Sequence, residues 1–116
     1  MRKIAITMGD PAGIGAEIIL KSLKHLSDCS DLIVVGNREI FRKNENLLNI
    51  ELPKDIDFID IPYNTDNIRN AIESSYSGEL SYLCLKKACE LANNDIVQGI
   101  STAPLSKNAL NLAGYN

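Results

Sequence analysis

The sequence predicts an α/β fold with a mainly parallel sheet and flanking helices. Short apolar runs alternate along the chain with stretches of helical periodicity, the pattern of strand-helix-strand units. One run, Leu32-Ile33-Val34-Val35, is apolar without a break, as suits a strand covered on both faces. A glycine-rich loop, Gly9 to Gly15, lies between the first strand and the first helix. At 116 residues, 45% hydrophobic and 23% charged, the chain has the size and apolar content for one small domain with a buried core, so disorder is not expected.

The elements follow in order. Lys3 to Thr7 is an apolar strand. Ile14 to about Leu26 reads as a helix, with Ile19, Leu23 and Leu26 sharing one face and Lys21 and Lys24 outside. Asp31 to Gly36 is the second strand. Asn37 can cap a helix through about Asn46, with Ile40, Phe41 and Leu48 turned inward. Asp57 to Ile61 is a short third strand that Pro62 ends. A helical segment is expected over Asp66 to Ser74, around Ile68 and Ile72, with Ser75-Tyr76-Ser77-Gly78 as a loop. Glu79 to Ala92 is the strongest helix, supported by Leu80, Leu83, Ala88 and Leu91, with Lys86, Lys87 and Glu90 exposed. Asn93-Asn94-Asp95 stops it, Ile96 to Thr102 is a fourth strand, and Ala103-Pro104 a turn. Ser106 can cap a last helix through Leu112, which Gly114 ends. The pairing order of the strands cannot be read from this pattern.

The bulk counts exclude several classes of function. A net charge of -3 argues against a nucleic-acid or anionic-membrane binder, which needs a basic field. With no Trp and 5% aromatics, nothing suggests stacked bases. No apolar run nears the ~20 residues of a membrane helix. Met1-Arg2-Lys3 followed by Ile4 to Met8 has a faint look of a signal peptide, but the stretch is short and Gly9-Asp10-Pro11 ends it, so a cytoplasmic protein is expected. Cys29, Cys84 and Cys89 are odd in number and form no Cys-x-x-Cys pair, so reduced, buried thiols are expected rather than disulfides or zinc.

Two local motifs carry chemistry. The first is Thr7-Met8-Gly9-Asp10-Pro11-Ala12-Gly13-Ile14-Gly15-Ala16-Glu17. Small residues here let backbone amides approach a ligand, and the following helix N-terminus favours an anion. A tight turn with close helix-strand packing would use the same glycines. The spacing is not the Gly-x-Gly-x-x-Gly dinucleotide fingerprint. It does match the Gly-x-x-x-Gly-x-Gly loop of short-chain dehydrogenases, and Tyr82 with Lys86 supplies a Tyr-x-x-x-Lys. Against that reading, the interval from loop to tyrosine is too short for the intervening strand-helix units, and Pro11 and Asp10 remove a donor and add a negative charge where pyrophosphate would sit.

The second motif is Ile100-Ser101-Thr102-Ala103-Pro104-Leu105-Ser106-Lys107, leaving a strand and entering a helix. Ligands of open parallel sheets collect at the carboxyl ends of strands. Thr102 can donate a hydrogen bond and Lys107 can supply charge to a phosphate or carboxylate. Equally, Ser106 can be a helix cap only and Lys107 a solvated first-turn residue.

Taken together, the two motifs resemble the 4-hydroxythreonine-4-phosphate dehydrogenase family. Thr7 to Gly15 is similar to its N-terminal signature, which usually continues Pro-Glu where this chain has Ala16-Glu17. Ser81-Tyr82 and then Thr102-Ala103-Pro104-Leu105-Ser106-Lys107 also look like the family, whose usual form at the latter is Thr-Ala-Pro-Leu-Asn-Lys. Ala109-Leu110 and Ala113-Gly114 follow in matching order, and the likeness is weak between Asn44 and Gly78.

The resemblance implies a two-domain α/β enzyme of the isocitrate and isopropylmalate dehydrogenase type, of which this chain is the incomplete N-terminal part. Such an enzyme oxidises the 3-hydroxyl of 4-phosphooxy-L-threonine with NAD. The β-keto acid then loses carbon dioxide to give an amino-phosphohydroxy-acetone for pyridoxal phosphate synthesis. A divalent cation (zinc, magnesium or cobalt) held by histidines polarises the hydroxyl. The enzyme is a homodimer with its active site at the subunit interface. The one histidine, His25, matches no metal position of the family and reads as a surface residue. The family's Gly-His-Thr substrate motif and its metal histidines fall beyond Asn116, so the metal ligands and catalytic residues are expected outside this chain, which alone should not turn over substrate. Asp10, Thr102 and Lys107 are the candidate cofactor- or substrate-binding residues. Two other classes remain open: a phosphate acyltransferase-like fragment, and a non-catalytic interaction module.

Overall fold

The computed structural model describes residues 2–115. Its strands are β1 (Ile4–Thr7), β2 (Leu32–Gly36), β3 (Asp57–Asp60) and β4 (Gly99–Thr102). Its helices are α1 (Gly15–Leu23), α2 (Arg38–Leu48), α3 (Ser75–Asn93) and α4 (Lys107–Leu112). The strands form one sheet in the order β3-β2-β1-β4, every pairing parallel. The α/β expectation holds.

The right-handed crossover rule takes the chain outward from β1 to β2 to β3 over one face, and α1 packs against α2. The chain then returns past β2 and β1 to place β4 on the far side of β1. The connecting helix α3 therefore lies on the opposite face, against β1, β2 and β4, with α4 alongside it. Met8, Leu20, Val34, Val35, Phe41 and Leu80 are among the fully buried side chains of the core. Phe41 meets Phe58 edge-to-face at 5.2 Å, and the Arg38 guanidinium stands 4.3 Å from the Phe58 ring centre, closing the β3 edge.

Several expected elements shift for identifiable reasons. Residues 66–74 are turns, not a helix. Ala71 there has a positive φ of 63°, which a helix cannot contain, and Ile72 is exposed. Ser75 to Gly78, expected as a loop, is instead the first turn of α3. Ser74 and Ser77 form a reciprocal capping box, and the carbonyl oxygen of Ala109 lies only 1.9 Å from where a Gly78 Cβ would stand. Gly78 is thus a packing glycine that lets α4 approach α3, not a loop glycine.

Helix α1 ends at Leu23, so Leu26 lies past it and is exposed rather than on the buried face. Strand β4 starts at Gly99, not Ile96, because the amides of Ile96 and Val97 bond back to the Leu91 carbonyl and finish α3 instead. Lys87 is half-buried rather than exposed. Of the three thiols, Cys29 and Cys84 are buried as expected, burial pushing the Cys84 thiol up to about 12, but Cys89 is exposed. The expected caps do form: the side chains of Asn37 and Ser106 accept the amides of Ile40 and Ala109.

Ala71 is held in its left-handed conformation by its own amide, which donates to the Ala12 carbonyl at 2.7 Å. Glycine bears that geometry without the Cβ penalty. Ala71→Gly is expected to raise stability by about 1 kcal/mol, read as a higher denaturant midpoint at unchanged slope.

Candidate functional site

The strand order reverses between β1 and β4. In open parallel sheets that is where chains diverge and a crevice opens at the carboxyl ends of the strands. Both sequence motifs arrive there. Thr7 and Thr102 are register partners at the ends of β1 and β4. The Ala103 amide bonds to the Thr7 carbonyl at 3.0 Å, and the Asp10 amide to the Pro104 carbonyl at 2.9 Å. The glycine loop and the 102–107 turn are therefore stitched backbone to backbone.

That contact explains two of the three loop glycines. Gly9 has φ +73°, and a Cβ there would stand 2.4 Å from the Pro104 oxygen. A Cβ on Gly15 would stand 1.9 Å from the Met8 oxygen. Both bare Cα atoms are used up by the chain's own carbonyls, so close packing accounts for them without a ligand. Gly13 alone of the three is exposed, and a Cβ there would touch only the Asp10 side chain, at 3.2 Å.

Asp10, Thr102 and Lys107 all fall at this end of the sheet. Asp10 is half-buried and accepts the Ala12 amide on Oδ1 at 3.0 Å, bracing its own loop. Burial raises its pKa, the Ala12 bond opposes that, and the nearby Glu73 charge adds to the rise. Thr102 is exposed, and its hydroxyl donates to the Ala103 carbonyl at 2.9 Å. Lys107 is the exposed first residue of α4, and among the described residues no carboxylate comes within 4.0 Å of its ammonium. Helix α1 is the one helix of the four whose N-cap, Ile14, makes no side-chain capping bond, which leaves its first-turn amides without that partner. A hollow of about 330 Å³ opens beside it, lined by Ile6, Ile18, Leu23, Thr102 and Pro104.

Glu73 reaches the second motif, a contact that sequence reasoning missed. Its carboxylate accepts the Ser106 hydroxyl and, at 3.0 Å, the Asn108 side-chain amide. Those bonds hold its pKa below the usual carboxylate range. The partners are 33 and 35 residues away, and no local pattern around Glu73 marks them.

The other sequence candidates are not brought here. Tyr82 is half-buried and stacked on Tyr115 with ring centres 3.8 Å apart, while Lys86 is exposed on α3, so the short-chain dehydrogenase pair has a packing role instead. His25 is exposed just past α1. Among the described residues no group of three or more His, Cys, Asp and Glu side chains could hold a metal ion, and no helix is long and apolar enough to cross a membrane.

Comparison with known proteins agrees with the motif reading. Residues 16–116 match the family described as pyridoxal phosphate biosynthetic protein PdxA. The chain is 39% identical over 132 residues to a D-threonate 4-phosphate dehydrogenase of Salmonella typhimurium, covering 99% of this chain and 40% of that protein. It is 34% identical over 128 residues to a 4-hydroxythreonine-4-phosphate dehydrogenase of Nostoc sp., covering 98% of this chain and 35% of that one. Its backbone superposes on the crystal structure of 4-hydroxythreonine-4-phosphate dehydrogenase from Klebsiella pneumoniae with a TM-score of 0.88 at 35% identity, covering 98% of this chain and 40% of that chain. The chain thus spans about 40% of the length of the first of these relatives. With residues 16–116 matching the family model and the backbone superposing on that crystal structure, the chain belongs to the PdxA family of pyridoxal phosphate biosynthetic proteins.

Proposed function

We propose that this chain forms the glycine-loop part of an NAD-dependent dehydrogenase that oxidises the hydroxyl of 4-phosphooxy-L-threonine in pyridoxal phosphate synthesis. The observation that carries the proposal is the backbone-to-backbone meeting, at the β1/β4 switch point, of the glycine loop that leads into the uncapped α1 with the 102–107 turn that leads to Lys107. Backbone amides at a helix start and a lysine cation make a donor set for an anion such as a phosphate or diphosphate. That donor set fits the diphosphate of NAD and the phosphate of the substrate alike. Lys107 would supply charge, Thr102 a hydroxyl that turns from the Ala103 carbonyl to the anion, and Asp10 would keep the loop in shape through Ala12.

When bound, NAD would supply the hydride acceptor for oxidation of the substrate hydroxyl to a ketone, a product able to lose carbon dioxide. The described residues do not fit a divalent cation, because no ligand cluster exists among them, and no step is assigned through one. Action as a homodimer in the cytoplasm belongs to the same proposal and is supported by the family resemblance. Family membership leaves the acyltransferase and interaction-module alternatives without support.

One second substrate is favoured by a specific observation. The Salmonella typhimurium relative, at 39% identity, is named a D-threonate 4-phosphate dehydrogenase, and so is the Pectobacterium atrosepticum relative at 41%. Both candidate substrates are four-carbon hydroxy acids phosphorylated at the terminal oxygen. Thermal unfolding of the chain with NAD and with each compound separates them. A ligand present at one hundred times its Kd should stabilise by about 2.7 kcal/mol, and the compound giving the larger shift is the substrate class. No shift with NAD or with either compound would sink the proposal.

A further inference from the structure

We infer that Glu73 is a positioning residue, and that residues Ala71 to Glu73 form a strap tying the glycine loop to the start of α4. The strap is anchored at both ends. At one end the Ala71 amide reaches the Ala12 carbonyl in the glycine loop at 2.7 Å. At the other, the two carboxylate oxygens of Glu73 take the Ser106 hydroxyl and the Asn108 amide. The glycine loop and the 102–107 turn already meet through Asp10 and Pro104, so the strap closes a triangle of three chain segments at the carboxyl end of the sheet.

The choice of partners is informative. Ser106 and Asn108 flank Lys107, yet Glu73 makes no ion pair with the lysine. Here the carboxylate is occupied by two neutral donors, which fixes the helix start while leaving the ammonium available. The seat of α4 is fixed from below as well, by the Ala109 carbonyl against the bare Cα of Gly78. Between them, these contacts set where Lys107 stands relative to the glycine loop.

Glu73 is exposed, so its loss should act locally rather than on the whole fold. The value of the strap to ligand binding rests on the dehydrogenase proposal; its mechanical role does not. The test is amide hydrogen exchange on the 116-residue chain, with Glu73→Ala, Glu73→Gln and Asn108→Ala. Glu73→Ala should speed exchange at Leu110 and Ala113, whose amides close α4, by about tenfold, while Cys84 to Ala88 inside α3 stay unchanged. Glu73→Gln keeps one acceptor and should restore part of the protection, and Asn108→Ala should lose part of it with the Ser106 cap intact. The Asp10 carboxyl should titrate lower in both Glu73 variants, since a neighbouring negative charge is gone, an effect that lost packing alone would not give. Unchanged exchange in α4 overturns the strap. Titration with inorganic phosphate and with NAD then divides the two proposals: weaker binding by about tenfold in Glu73→Ala supports both. A wild-type chain that binds neither probe, with α4 loosened as described, upholds the strap and counts against the dehydrogenase.

Discussion

Gly9→Ala is expected to destabilise the chain by about 3 kcal/mol and to open the junction that both motifs share. Two independent costs combine. An alanine at φ +73° sits in left-handed backbone, at roughly 1–2 kcal/mol. Its Cβ would also stand 2.4 Å from the Pro104 oxygen and 2.7 Å from that of Ala103, and relieving such overpacking costs roughly 1–3 kcal/mol. The obstacle is backbone, so no rotamer change can absorb it. The loop must retreat, and with it the Asp10 amide leaves the Pro104 carbonyl. Denaturant unfolding should show the lost stability. Exchange at the Asp10 amide should rise by more than that global loss explains. A Gly9→Ala chain of wild-type stability would mean that the loop and turn are not in the contact described.

Phe41→Ala is expected to cost about 4 kcal/mol, the usual scale for emptying an aromatic site in a core. The ring is fully buried, holds Phe58 edge-to-face at 5.2 Å, and lies under Gly36, whose Cβ would approach it to 2.8 Å. It therefore bridges α2, β2 and β3 at once. Typical domains keep only about 5–15 kcal/mol in reserve, so the variant should sit near its unfolding threshold at ambient temperature. Calorimetry would show this as a large fall in Tm. Phe41→Leu, which refills much of the volume, should recover most of the loss. A Phe41→Ala variant within about 1 kcal/mol of wild type would contradict the packing described.

The fold class was legible because its signals are local. An unbroken apolar run such as Leu32 to Val35, a cap such as Asn37 or Ser106 and a stop such as Gly114 each act within a few residues of themselves. The errors fell where a distant contact decides a local conformation. Residues 66–74 have helical-looking spacing at Ile68 and Ile72, but the Ala12 carbonyl draws Ala71 out of helical geometry. Gly78 looks like a loop residue until the Ala109 carbonyl is placed against it. The site behaves in the same way. Asp10, Thr102 and Lys107 were read as candidates from contiguous motifs, and the sheet carries those motifs to one end. Glu73 was not visible, because its two partners lie more than thirty residues downstream.

The strand order has a consequence for how the molecule assembles in time. The β1, β2 and β3 strands each follow their neighbour by one short helix or connection, so the first sixty residues can condense as the chain leaves the ribosome. The last strand cannot join them early. Its docking brings Gln98 to the Lys3 amide across 95 residues, and the long helix between must first be in place to carry it over the sheet. Closing so wide a loop is entropically slow. The switch-point crevice exists only once β4 lies beside β1, so the glycine loop has no partner turn until residues 99–104 have been made.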